Sequence, residues 1–144
     1  SEQNQSAMTW VDNNLDSATS VLIITDHDGW SVDGVSEWFP YLANRKSVLT
    51  VQGSEWLPNG QFISYWKWSD DIKECAIQGI QCIDDWQNNS GLTYTHVYLN
   101  LESIREGQDF IFFENVLSAS LAKSVQYREV YREGEVVIFE YLAE

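Results

Sequence analysis

The stretch Val21-Leu22-Ile23-Ile24-Thr25 constrains the fold more than any other in this chain. Four consecutive aliphatic residues leave no alternation between a wet and a dry face. A strand built from them is covered on both sides, as strands of parallel sheets are. The run breaks into a polar, Gly-marked loop carrying Asp26, His27, Asp28 and Trp30. An aromatic segment follows, Trp38-Phe39-Pro40-Tyr41, with Arg45 close behind. In an open α/β sheet such a loop lies at the carboxyl end of the first strand, where ligands bind.

The rest of the chain supplies elements that would cover this strand. Residues 1–6 are polar and are expected to form a disordered N-terminus, leaving one α/β domain over 7–144. Met8, Val11 and Leu15 recur at helical spacing. After the loop, Ser36 is placed to cap a short helix carrying Trp38 and Leu42, with Pro40 tolerated in its first turn. Ser47–Gln52 reads as a second strand and Pro58-Asn59-Gly60 as a turn. Phe62–Trp68 fits either an edge strand or a packed loop. Residues 69–88 form the clearest helix, capped by Ser69, with Ile72, Cys75, Ala76, Gly79, Ile80, Ile83 and Trp86 on one face. Thr95–Leu101 is a third strand. A helix over about 109–122 offers Phe110, Phe113, Leu117 and Leu121 to the core, and Val125–Tyr131 pairs with Val136–Tyr141 as a hairpin. This order predicts a three-layer α/β sandwich, mostly parallel, with an antiparallel C-terminal hairpin.

Composition narrows the function classes. The 144 residues carry a net charge of −14 with only eight Lys and Arg. That balance argues against nucleic acid, whose phosphates need cationic partners, and against anionic lipid surfaces. No apolar run reaches the roughly 18 residues of a membrane span, and no signal-peptide pattern opens the chain. It begins at Ser1 without an initiator Met, which suggests a piece of a longer protein. Cys75 and Cys82 lie in one expected helix, roughly 10 Å apart along its axis. Two buried, unbridged thiols are therefore expected, unless the helix breaks at Gly79.

Asp26 and Asp28 could together hold Mg²⁺, or the loop could be a turn whose Asx side chains bond their own backbone. Their spacing resembles the nucleophile loop of haloacid-dehalogenase-like phosphatases. That resemblance implies Asp26 as nucleophile, Asp28 as acid/base and Thr50 in the second motif. The chain departs from that pattern at Trp30, where the family has Thr, and offers only Glu102 after the third strand. His96 sits within that strand and reads as packed. The aromatics of residues 30–68, among them Trp30, Trp38, Tyr41 and Trp56, fit a core or interface. They also fit a sugar surface, because a pyranose stacks its C–H face on an aromatic ring. Arg45 fits a structural ion pair or a phosphate contact, the ion pair being favoured.

A wider pattern covers nearly the whole chain. It comprises Thr9-Trp10-Val11 with Asn14, Asp16-Ser17-Ala18 before the first strand, Glu37-Trp38-Phe39-Pro40 with Arg45, and Gly53-Ser54-Glu55-Trp56. His96–Leu99, Tyr127–Tyr131 and Val136–Phe139 complete it. It resembles the soluble tail after the last membrane helix of multi-spanning bacterial glycosyltransferases of the GT-C type, akin to dolichyl-phosphate-mannose mannosyltransferases. The Pro usual in that family is replaced within Leu15-Asp16-Ser17-Ala18. The resemblance implies a non-catalytic, extracytoplasmic accessory domain of an enzyme that uses lipid-phosphate-linked sugars. Its partners would be the transmembrane part of the same polypeptide and a glycan or lipid-linked sugar, with no cofactor. Two alternatives stand beside it: a sugar-binding module using Trp30, Trp38 and Trp56, and the Mg²⁺-dependent phosphohydrolase centred on Asp26 and Asp28.

Overall fold

The computed structural model describes residues 1–25, 29–101 and 115–142. Its strands are β1 (Ser20–Thr25), β2 (Lys46–Ser47), β3 (His96–Asn100), β4 (Tyr127–Glu133) and β5 (Val136–Tyr141). They form one sheet in the order β2-β1-β3-β5-β4. β1 runs parallel to β2 and β3, and β5 is antiparallel to β3 and β4. Helices α1 (Glu2–Asn14) and α2 (Gly34–Leu42) cover one face. The other face is covered by α3 (Gln61–Gln78), α4 (Ile80–Ser90) and α5 (Val116–Lys123). This is the three-layer α/β sandwich expected from the order of elements.

The apolar run of β1 explains the layering. Val21 and Ile23 pack with Ala7, Val11 and Phe39 under α1 and α2. Leu22 and Ile24 point the other way, onto Ile72, Ile83 and Leu117. Both faces of β1 are dry, so no polar alternation could survive there. The outer strand β4 is instead charged and bulged between Glu129 and Tyr131. Its Arg132 pairs with Glu129 at 2.8 Å, and its Arg128 donates through Nε to Glu140 at 3.0 Å. A charged, irregular edge resists pairing with another chain.

Several local expectations are corrected. The polar N-terminus is not loose: α1 starts at Glu2, Ser1 caps it, and Asn4 is buried. α2 is capped by Asp33 rather than Ser36, and Pro40 sits in its last turn. Proline has no N–H for the Ser36 carbonyl four residues back; Thr50 Oγ1 donates to that oxygen instead, at 3.4 Å. The second strand pairs only over Lys46–Ser47, with a last bond from Val48 N–H to Val21 O. Beyond it, the Thr50 and Gln52 side chains turn onto the start of α2, although Leu49 and Val51 remain buried. Phe62–Trp68 is helical, because α3 starts at Gln61 directly after the Asn59-Gly60 turn, where both residues have positive φ. Ser69 lies inside that helix and caps nothing. Phe110, Phe113 and Glu102 fall outside the described residues.

The thiols are also corrected. Gly79, at φ +90°, ends α3 and starts α4 in a conformation that side-chain-bearing residues rarely adopt. The break is held by α5: Ile80 N–H donates to Ser120 Oγ at 2.9 Å. It folds α4 back on α3, bringing the Cα atoms of Cys75 and Cys82 to 5.2 Å, and the two are joined as a disulfide.

Candidate functional site

The strand order reverses between β2 and β3 on either side of β1, so the carboxyl ends of β1 and β3 form a topological switch point. Thr25 and Asn100 stand opposite each other there. Both are buried and both face the α1–α2 layer, where polar side chains continue the strands. Thr25 Oγ1 donates to Asp33 Oδ2 at 2.8 Å, and Ser36 gives Asp33 its backbone N–H at 3.1 Å and its hydroxyl at 2.7 Å. One buried carboxylate thus caps α2 and ties it to the end of β1. Beside it, Asn4 Oδ1 accepts from the Tyr98 hydroxyl at 2.6 Å and from Asn100 Nδ2 at 3.1 Å. Asn4 Nδ2 in turn donates to Ser1 Oγ at 3.0 Å. Burial raises the Tyr98 hydroxyl well above its ordinary pKa, so it stays a proton donor.

Above this floor the start of α1 and the length of α2 diverge into an open groove of about 1050 Å³. Its α1 wall carries Glu2, Gln5 and Met8, and its α2 wall carries Val35, Trp38 and Leu42. Glu135, from the β4–β5 turn, closes one end; its backbone N–H donates to Gln3 Oε1 at 3.3 Å. The α2 wall is therefore apolar and aromatic, and the α1 wall sets the carboxylate of Glu2 and the carboxamide of Gln5 beside Met8.

The structure divides the residues singled out in the sequence. Asp26, His27 and Asp28 lie outside the described residues, so the metal and phosphatase readings of that loop have no geometry here. Trp30 begins a 3-10 turn over Trp30–Val32. Trp38 stands in the groove wall, 55% exposed. Tyr41 meets its edge at 6.4 Å between centroids but does not line the groove. Trp56 is 91% exposed on a separate 3-10 turn, Ser54–Trp56, that packs against α3. Trp56 does not line the groove with Trp38. Arg45 is engaged structurally: its guanidinium is buried, pairs with Asp12 at 3.4 Å and donates to the carbonyls of Asp12, Leu15 and Asn44. It caps the end of α1. His96 is packed in β3 with Thr95 Oγ1 2.9 Å from Nδ1, and burial lowers its pKa despite nearby Glu140. Among the described residues, no three His, Cys, Asp or Glu side chains converge as a metal set.

The sequence reading missed Asn4, Asn100 and Asp33. For Asn4 a signal existed. The Met8-Val11-Leu15 stripe extended back one turn places residue 4 on the buried face.

The fold is shared with a solved domain. The C-terminal globular domain of oligosaccharyltransferase from Archaeoglobus fulgidus superposes with a TM-score of 0.58, covering 95% of this chain and 95% of that one, at 15% identity. At that identity the likeness is one of fold. No family model and no curated protein matches the chain in sequence.

Proposed function

We propose that this chain is the accessory globular domain of a membrane glycosyltransferase that uses lipid-phosphate-linked sugars, and that transfer itself is carried out by the membrane part of the same polypeptide. The observation that carries the reading is the end-to-end fold likeness to a globular domain of an oligosaccharyltransferase. The Thr9-to-Phe139 sequence pattern points to the GT-C tail, which is a finer statement of the same idea. The Cys75–Cys82 disulfide supports the extracytoplasmic side, since disulfides persist in oxidising compartments. Among the described residues no helix is long and apolar enough to cross a membrane.

The test is transfer from a lipid-linked sugar by the full polypeptide in membranes, with and without this domain. Transfer is expected to fall on deletion, while the isolated domain turns nothing over. Phosphoester hydrolysis by the isolated domain that requires Mg²⁺ and is lost in Asp26→Asn would overturn the proposal in favour of the phosphohydrolase.

A further inference from the structure

We infer that the α1–α2 groove binds an uncharged saccharide, the acceptor side of the transfer, and excludes the phosphate-bearing donor. The acceptor assignment rests on the accessory-domain reading; the ligand chemistry rests on the groove alone.

The groove offers what a pyranose needs on two facing walls. Trp38 gives a half-exposed indole for the apolar C–H face of the ring. Across from it, Glu2 and Gln5 offer acceptors and a donor to hydroxyls. The floor is held in place beforehand, since Asn4 and Asn100 are fixed by the Tyr98 hydroxyl and by each other. Such fixed polar groups orient a ligand without an ordering cost on binding.

The same walls are hostile to phosphate. Among the described residues lining the groove, none is Lys or Arg, and Glu2 and Glu135 contribute negative charge. The two helix starts beside it, which could otherwise hold an anion, are already capped. Ser1 Oγ accepts the Asn4 N–H and the Asp33 carboxylate accepts the Ser36 N–H. Arg45 is committed to the far end of α1. A sugar phosphate placed here would lose its hydration with no Lys or Arg side chain among the described lining residues to replace it.

The experiment is an NMR titration of the isotope-labelled chain. Its amino terminus is acetylated, so that side chains alone set the charge near Ser1. The probes are neutral trisaccharides of glucose, mannose and N-acetylglucosamine, and the corresponding glycosyl 1-phosphates. At least one trisaccharide is expected to shift the Trp38 indole and the Gln5 and Asn100 side-chain amides together, with the matching 1-phosphate about tenfold weaker or worse. Trp38→Ala should abolish the shifts and Trp56→Ala should keep them. Glu2→Lys should narrow the gap between the phosphate and the neutral sugar. Groove signals unmoved by every trisaccharide, or moved as readily by the 1-phosphates, overturn the inference. In the full polypeptide, Trp38→Ala should raise the KM for the acceptor and leave that for the lipid-linked donor unchanged. An unchanged acceptor KM strikes the acceptor assignment while the deletion result still decides the accessory role.

Discussion

The two faces of the sheet are built on different principles. Toward α3, α4 and α5, β3 presents Val97 and Leu99, β5 presents Val137 and Phe139, and the cluster is almost wholly apolar and stapled by a disulfide. Toward α1 and α2 the same strand β3 presents His96, Tyr98 and Asn100, all buried, and β1 ends in Thr25. Here the helices are positioned by hydrogen bonds to Asn4 and Asp33, and between them an open groove remains. Apolar packing is non-directional and fills space, so it suits the face that only has to hold. Buried hydrogen bonds are directional and fix where a wall stands. The face with the groove rests its helices on them, while the other face keeps the buried Tyr94–Tyr127 hydroxyl pair within its apolar packing.

This contrast can be broken by mutation. The largest loss is expected on the apolar face: Phe139→Ala should cost about 3–5 kcal/mol in chemical denaturation, through lost transfer energy and the cavity left behind. A cost below about 1 kcal/mol would mean that this face is not the stabilising half. Next, Asp33→Ala should cost about 2–4 kcal/mol, combining a lost cap with two hydroxyls left without their acceptor. If the melting temperature does not move, the polar network is not what positions α2. Opening the Cys75–Cys82 bridge by double alanine substitution should cost about 2 kcal/mol, as expected for so short a closed loop. Hydrogen exchange should then quicken in α4 before α1 or α2, and spread to α1 and α2 at the same rate would merge the two faces into one unit.

The pH response sharpens the comparison further. Burial holds the His96 pKa below its ordinary value of 6.5. The unfolded chain therefore takes up the proton first, and stability is full above about pH 6.5 and declines as pH falls toward the lowered value. His96→Asn should flatten that part of the melting-temperature profile; an unaltered slope would remove His96 as its source. The smallest effect belongs to Trp38→Ala, which should change stability by no more than about 0.5 kcal/mol, because the ring is half in water. A larger loss would make Trp38 a structural residue of the apolar wall instead of a free binding surface.

The periodicities made the layers legible. The unbroken Val21–Ile24 run demanded cover on both faces, the stripe through Ile72, Ile80 and Ile83 supplied it on one side, and the Gly-marked hairpin closed the sheet. The elements that were misread share one cause: their local signals were outvoted by partners far along the chain. Ser36 resembles a cap, but the carboxylate three residues earlier binds its N–H more strongly. Phe62–Trp68 is rich in residues that favour strands, yet it joins the helix that buries Ile72. Two thiols seven residues apart look unbridgeable until Gly79, steadied by Ser120, turns the helix back.

The candidate site was legible only in part. Trp38 was singled out, and Arg45 was favoured as a structural ion pair and is one. Trp56, grouped with Trp38 in the sequence, stands on another element.

The sequence by itself determined the α/β layering, the antiparallel hairpin and the acidic character of the chain, because apolar periodicity and charge are properties of the chain taken locally. Only the tertiary structure decided which polar side chains meet. Asn4 lies 94 residues from Tyr98 and finds it through the stacking of α1 on the sheet. Hydrogen-bond partners are chosen by geometry across the fold, and no spacing along the chain encodes that geometry.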